Sequence, residues 1–151
     1  MSQSKHSLLE IIGIIGVFAG LLLVAYELRQ NSIAAQAQTR ATLTVIAHDM
    51  IRSVTTPEML DIRLKRDRDE TLNDVEAQML RLNLSMQIRS AENVFYQHRI
   101  GTLSDEEFIG YRNFYKRLFS DSFTIQYWEQ QREIFSPDFQ VDIDDLIAEI
   151  Q

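Results

Sequence analysis

The chain has 151 residues, a formal net charge of −7, no cysteine, two prolines and five glycines. The lack of cysteine excludes disulfides, thiolate metal sites and cysteine nucleophiles. The acidic balance without a dominant basic patch argues against nucleic acid and anionic lipid headgroups as main partners. Few helix-breaking residues and no low-complexity tract favour a compact helical protein over a disordered one.

An almost wholly apolar segment lies near the start of the chain. Residues 8–28 read LLEIIGIIGVFAGLLLVAYEL, and as a helix they would cover roughly 30 Å, the thickness of the hydrocarbon core of a membrane. Within residues 11–26, ten Leu, Ile, Val and Phe side chains favour insertion by about 3 to 6 kcal/mol. Glu10 and Glu27 oppose insertion less strongly because they lie near the ends. The segment therefore predicts a transmembrane helix.

Two other interpretations of this segment stay open. A signal peptide would be cleaved after small residues, and Ala35 and Ala37 give a faint match to such a site, although the apolar run is long for a signal peptide. A buried core helix of a soluble protein is the second alternative, but core helices rarely need so many consecutive apolar residues.

The charges that flank the predicted span favour one orientation. Lys5 precedes it, whereas Arg29 and Arg40 follow it, and positive residues are enriched on the cytoplasmic side of a membrane. We therefore expect a single-pass protein whose C-terminal domain lies in the cytoplasm. The predicted organisation is an N-terminal tail (1–7), a transmembrane helix (8–28) and a soluble helical domain (29–151).

The first helix is predicted to continue beyond the membrane, over residues 8–54, because no glycine or proline follows before Pro57. Helical spacing places the apolar residues of its last part on one face: Leu43, Ile46, Ala47, Met50, Ile51 and Val54. Thr56 and Pro57 resemble the N-cap and first residue of a short helix over residues 57–64. The charged run KRDRDE (65–70) is interpreted as a solvated connector, with a docking loop as the alternative.

The predicted central element is a helix over residues 72–100, opened by a weak capping box of Thr71 and Asp74 and ended by Gly101. It is apolar on two faces, so we expect partners on both sides. One face carries Val75, Met79, Leu82 and Met86, and the other carries Leu80, Leu84, Ile88, Ala91 and Phe95.

Three further helices are predicted. Ser104 and Glu107 form a clearer capping box before FIGYRNFYKRLF, whose aromatic residues are expected in the core: Phe108, Tyr111, Phe114, Tyr115 and Phe119. Asp121 or Ser122 begins a helix that runs through Phe135, and Ser136 with Pro137 forms a second N-cap and proline pair. The last helix is acidic and amphipathic, and its apolar face predicts docking on its own domain: Phe139, Ile143, Leu146, Ile147 and Ile150. The fold class is therefore all-α, with an N-terminal transmembrane helix that continues into a long helix, followed by a small helical bundle.

Small and polar residues form a stripe along one face of the first helix. At about 100° per residue they fall within an arc of about 60°: Gly13, Gly16, Gly20, Glu27, Asn31, Ala34 and Gln38. Gly16 and Gly20 form a GxxxG, which allows another helix to approach closely in lipid. Chance is the alternative, because glycine is common in membrane helices. We expect this stripe to be the interface of a homo-oligomer.

Glu27 lies on the stripe at the predicted membrane edge, and three roles stay open for its carboxylate. It can snorkel to water, bond across helices or line a pore. We expect a membrane-anchored protein that self-associates through its first helix and presents an acidic helical domain as an interaction or scaffold module. A small homo-oligomeric channel with Glu27 near the pore mouth is the alternative.

No catalytic or metal-binding pattern is visible in the sequence. The histidines lie far apart, and there is no metal-ligand spacing, phosphate loop or nucleophile elbow. We therefore expect no enzyme, no cofactor and no metal; the expected partners are the lipid bilayer, further copies of the chain and a protein bound by the soluble domain. One polar cluster interrupts the central helix: Arg89, Glu92, Asn93, Tyr96, Gln97 and Arg99. With Arg89–Asn93 and Glu92–Tyr96 as i,i+4 neighbours, we interpret it as a buried hydrogen-bond network that fixes packing, with a recognition site as the alternative.

Three stretches, EIIGIIGVFAGLLLVAYELRQN, AENVFYQHRIGTLSDEEF and YWEQQREIFSPDFQ, resemble a family of uncharacterised bacterial single-span membrane proteins of about this length. The middle motif, Glu92-Asn93 followed by Tyr96 and Gly101, is the most specific. Members of the family usually carry an aliphatic residue or Gln where this chain has Glu27. The resemblance implies a bacterial inner-membrane location and a C-terminal helical domain, and it implies no reaction, ligand or partner.

Overall fold

The computed structural model describes the backbone of residues 2–151 and the side chains of residues 10–151. Over this range the chain is all-α, without a strand, and the predicted fold class of a long first helix followed by smaller helices is confirmed. The elements are α1 (Ser2–Val54), α2 (Pro57–Asp67), α3 (Asp74–Arg99), α4 (Asp105–Leu118), α5 (Ser122–Gln131), a short 3₁₀ turn (Arg132–Ile134) and α6 (Pro137–Ala148).

The starts of the helices follow the predicted caps with two exceptions, and α5 ends at Gln131, before the 3₁₀ turn, instead of running through Phe135 as predicted. The capping box of α3 is formed by Asn73 and Glu76, not by Thr71 and Asp74: the Asn73 side chain accepts from the N–H of Glu76 at 3.0 Å, and Glu76 accepts from the N–H of Asn73 at 2.9 Å. Asparagine is the better N-cap, and a glutamate three residues later completes the box. Ser136 takes the N-cap position of α6, but its side chain makes no cap hydrogen bond.

The chain divides into two compact units, one that ends at Gln38 and one that covers Thr39–Gln151. The first unit is a single stretch of α1, and each of its side chains in the range 10–38 is exposed. The second unit contains the last part of α1 together with α2 to α6. α1 therefore stays unpacked beyond the predicted end of the span at Leu28.

An aromatic cluster forms the core of the second unit. Trp128 is buried, and its ring meets the rings of Phe119 and Phe139 edge-on, both at 5.9 Å between centroids. Phe135 lies 5.3 Å from the Trp128 ring. Leu43 of α1 is buried in the same cluster. Edge-to-face packing adds to the burial of these large apolar rings, so this cluster holds the ends of α4, α5 and α6 together.

The last helix docks on its own unit, as predicted. Phe139, Ile143 and Leu146 are buried in the core, and Ile147 and Ile150 pack against it in part. Ion pairs connect the polar side of α6 with α4. Arg112 of α4 pairs with Asp142 of α6 at 2.5 Å and with Glu149, at the end of α6, at 2.9 Å. Burial raises the pKa of Asp142 in spite of the arginine beside it.

α3 buries one broad side instead of two faces, so the predicted partners on both sides are wrong. Val75, Leu82 and Met86 are exposed, Val75 by 69%. The neighbouring helices pack against the opposite side, where Leu84 and Ile88 join the main cluster and Leu80 joins a smaller cluster with Met59 and Ile62 of α2. Phe114, which was also expected in the core, is exposed, and so is Ile51 of the predicted apolar face of α1.

Candidate functional site

The first unit exposes a long series of large apolar side chains. Ile11, Phe18 and Leu22 are all exposed, Leu22 by 71%. The part of α1 over Glu10–Val54 is long and apolar enough to cross a membrane, and none of its most apolar stretch is buried. Soluble monomers rarely expose contiguous apolar patches larger than a few hundred Å². α1 is therefore a candidate membrane span, and its exposed apolar surface is unfavourable in water.

The predicted stripe lies entirely on this exposed part of α1. All seven of its residues are exposed: Gly13, Gly16, Gly20, Glu27, Asn31, Ala34 and Gln38. Apart from the adjacent residues and the local backbone of α1, a Cβ atom built on any of the three glycines meets no atom within 4 Å. Packing inside the described chain therefore does not require glycine at these positions, and the stripe stays a predicted interface.

Glu27 lies in an open part of this helix. It makes no ion pair or side-chain hydrogen bond with a residue that the structure describes, whereas its neighbour Tyr26 accepts a hydrogen bond from Gln30 Nε2 at 3.0 Å through its hydroxyl oxygen. Since no described residue fixes its carboxylate, the three predicted roles of Glu27 stay predictions.

Polar contacts hold the last part of α1 inside the second unit. Arg40 donates from Nε to Glu107 Oε1 at 2.8 Å, and Glu107 also accepts from the Ser104 hydroxyl at 2.8 Å. The hydrogen bond from Arg40, reinforced by those from Ser104, lowers the pKa of Glu107 to about 2. One carboxylate thus caps α4 and binds α1, while Leu43 is buried one turn farther along α1.

The predicted polar cluster on α3 separates into two groups. In the first, Arg89 donates to Glu92 Oε2 at 2.8 Å and to the carbonyl oxygen of Ile134 at 2.9 Å. Glu92 Oε1 accepts from the N–H of Ser136 at 2.7 Å, and the Arg89 guanidinium lies 4.4 Å from the centre of the Phe135 ring. This pair therefore holds the segment between the 3₁₀ turn and α6.

The charge of Glu92 is stabilised at this position. Burial alone would raise its pKa, but the hydrogen bonds from Ser136 and Arg89 outweigh burial, and the pKa of Glu92 is lowered. The carboxylate also lies at the N-terminus of α6, where a negative charge is favourable.

The second group contains Asn93 and Tyr96, and neither makes its predicted contact. Asn93 Oδ1 accepts from Gln97 Nε2 at 3.4 Å, and Tyr96 lies beside the Arg99 guanidinium at 5.8 Å. Arg89 and Tyr96 are exposed, and Glu92 and Asn93 are half-buried. The four residues therefore do not form one buried network. The backbone of residues 134–136 supplies partners for Arg89 and Glu92, and Gln97, the i,i+4 neighbour of Asn93 in the same cluster, supplies the partner of Asn93.

A buried amide pair on α3 escaped the sequence analysis. Asn83 and Gln87 are buried, and Gln87 Nε2 donates to Asn83 Oδ1 at 2.8 Å. The available signal was their i,i+4 spacing directly beside Leu80, Leu84 and Ile88. Both amides line a cavity of about 190 Å³ in the second unit.

The described residues contain no group of three or more His, Cys, Asp or Glu side chains that could hold a metal ion. Comparisons of the chain with protein-family models, with curated proteins and with solved structures find no match.

Proposed function

We propose that this protein is a membrane-anchored helical module that self-associates through α1 and presents its acidic second unit for interaction. The observation that carries this proposal is that every residue from 10 to 38 of α1 is exposed, including the apolar stretch that is long enough to cross a membrane. Each exposed apolar Å² costs about 25 cal/mol in water, so a helix with this surface gains stability in lipid.

Two observations favour an anchor over the alternatives. A core helix would be buried, yet none of the most apolar part of α1 is buried. A signal peptide would be cut near Ala35 and Ala37, but α1 passes through these residues without interruption and continues to the buried Leu43. Cleavage there would divide a helix whose last part belongs to the core of the second unit.

Self-association is supported by the open surroundings of the glycines. Gly13, Gly16 and Gly20 have no neighbour among the described residues that would exclude a side chain, so there is room for a second helix to make a close contact with them. In lipid, small residues allow two backbones to approach and gain van der Waals contact.

The self-association proposal is tested by Gly16→Leu combined with Gly20→Leu. The control is Ala25→Leu, which introduces a Leu side chain on the opposite face of α1, about 180° from Gly16. Chemical crosslinking in detergent should show an oligomer for the unmodified chain and the control, and a monomer for the double variant. An oligomer that survives both glycine substitutions would exclude the stripe as the interface.

We also propose a bacterial inner-membrane location with the second unit in the cytoplasm. The balance of Lys5 against Arg29 and Arg40 supports this orientation, and the motif resemblance supports the location. Because the chain has no cysteine, Ser2→Cys and Ser120→Cys each provide a single reporter thiol. In intact spheroplasts a membrane-impermeant maleimide should label Ser2→Cys and leave Ser120→Cys unlabelled; the reverse pattern would invert the orientation.

A further inference from the structure

A cavity of about 190 Å³ in the second unit concentrates positive charge in an acidic protein. Arg63 and Arg66 of α2 and Arg117 of α4 line it, and Asp121 is its one acidic lining residue. The lining therefore carries three positive charges and one negative charge, whereas the whole chain has a net charge of −7. We call this site the arginine cavity.

Among the described residues, acidic partners are found for one of the three arginines. Arg66 pairs with Asp121 at 3.0 Å and with Asp67 at 2.8 Å. Arg63 is half-buried and Arg117 is exposed, and neither side chain makes an ion pair or hydrogen bond with a described residue. Two guanidinium groups around one cavity thus lack an anionic partner, although each offers donors in a geometry that matches phosphate and carboxylate oxygens.

The inner wall of the cavity contains the side-chain amide of Gln87, whose donors are not all hydrogen-bonded to described residues. Gln87 is 7% exposed, and it donates one hydrogen of Nε2 to Asn83. Its second N–H hydrogen has no partner among the described residues. Buried polar groups are almost always hydrogen-bonded. A molecule bound in the cavity would supply the acceptor that this donor lacks.

Apolar side chains form the remaining wall: Leu80, Leu84, Leu118 and Phe123. A simple inorganic anion would leave this surface uncovered. The volume of about 190 Å³ is below the roughly 300 to 1,000 Å³ of drug-sized ligand sites, so the fitting molecule is small.

We propose that the arginine cavity binds a phosphate monoester with a short apolar group. Arg63 and Arg117 would share the dianionic phosphate, the free N–H of Gln87 would donate to a phosphate oxygen, and the organic group would contact Leu80 and Phe123. Phosphate concentrates two charges in a small volume, which matches two unpaired arginines beside an apolar wall. A dicarboxylate would place one of its charges against that wall. The phosphate can come from a soluble ester or from the headgroup of a monoester lipid such as phosphatidic acid.

The test uses the full chain in uncharged detergent and titration calorimetry with phenyl phosphate. We expect saturable binding that weakens as salt is raised, and a loss of at least tenfold in affinity when Arg63→Gln and Arg117→Gln are combined. Arg81→Gln is the matched control, because Arg81 is exposed on α3 and does not line the cavity; its binding should equal that of the unmodified chain. Arg117→Gln alone alters an exposed side chain and keeps the test valid if the double variant does not fold.

A second measurement distinguishes the two sources of phosphate. The protein is reconstituted into phosphatidylcholine vesicles with and without phosphatidic acid, and its thermal unfolding is compared. Stabilisation by phosphatidic acid that Arg63→Gln and Arg117→Gln remove assigns the site to a lipid headgroup, whereas binding of phenyl phosphate alone assigns it to a soluble ester. Absence of both effects, or binding that the arginine variants leave unchanged, would overturn the proposal. These results are independent of self-association, because Gly16 and Gly20 are unaltered.

Discussion

Glu92 of α3 accepts a hydrogen bond from the backbone N–H of Ser136, 44 residues later in the chain, at 2.7 Å. Ser136 is the N-cap residue of α6, and its own hydroxyl makes no cap hydrogen bond. A carboxylate from another helix therefore fixes the beginning of α6. The same carboxylate binds Arg89, which also donates to the carbonyl oxygen of Ile134. The Arg89–Glu92 pair therefore holds two backbone groups of the segment that leads into α6.

We expect Glu92→Ala to destabilise the second unit by about 1 to 2 kcal/mol, because a lost partner costs about 1 to 3 kcal/mol and this contact is partly solvated. Trp128 is the chain's single tryptophan and is buried, so its fluorescence reports denaturant unfolding. Glu129→Gln is the control, since Glu129 is exposed and makes no ion pair among the described residues. Equal midpoints for Glu92→Ala and the control would mean that Glu92 does not secure α6.

The stability of the second unit should fall in acid through Glu107. Its pKa is lowered from 4.5 to about 2, so its contribution is complete above about pH 4.5 and is lost as the pH falls toward 2. We expect Glu107→Gln to give a flatter dependence of the unfolding free energy on pH in this window. Glu106→Gln, an exposed neighbour, should keep the slope of the unmodified chain. A slope unchanged by Glu107→Gln would assign the acid sensitivity to other carboxylates.

Local chemistry made most of the helix boundaries predictable. The capping box of Ser104 and Glu107 is present, with the Glu107 N–H donating to the Ser104 hydroxyl at 3.3 Å. Gly101 ends the central helix region with a φ of 78°, a conformation that glycine adopts without strain. Caps and glycine stops depend on a few neighbouring residues, and the sequence displays those directly.

Tertiary relationships were less predictable, because helical spacing shows which residues share a face but not whether a neighbour covers it. Val75, Leu82 and Met86 have the spacing of a core face and are exposed, and Phe114 is exposed although Tyr115 beside it is buried. One partner of Glu92, the N–H of Ser136, lies 44 residues away in the chain. The arginine cavity joins residues from four elements, which no local pattern indicates.

The buried amide pair should show strong coupling. Asn83→Ala leaves the Gln87 amide without its acceptor in a buried position, and we expect a cost of about 1 to 3 kcal/mol. Combining Asn83→Leu with Gln87→Leu removes both polar groups and should cost less than the sum of the two single changes. A double-mutant cycle from denaturant unfolding measures the difference. Strict additivity would show that the two amides do not interact.

Docking of α6 should depend on one aromatic ring. Phe139 is 1% exposed and contacts the rings of Phe95, Trp128 and Phe135. We expect Phe139→Ala to cost about 3 to 5 kcal/mol, because it removes buried apolar surface and leaves a cavity. Val141→Ala on the same helix, where the side chain is 59% exposed, should stay within about 0.5 kcal/mol. Similar midpoints for the two variants would show that α6 is not fastened by its apolar face.

The role of Glu27 separates the scaffold from the channel alternative. A pore needs a ring of helices with space along its axis, whereas the glycines on the same stripe favour close approach of the backbones. We therefore expect liposomes that contain the purified chain to show no ion flux above protein-free liposomes, with or without Glu27→Gln. Crosslinking of the same sample must show the oligomer, so that a monomeric preparation is not mistaken for a closed assembly. A cation flux that Glu27→Gln reduces would instead place this carboxylate at a pore and contradict the scaffold proposal.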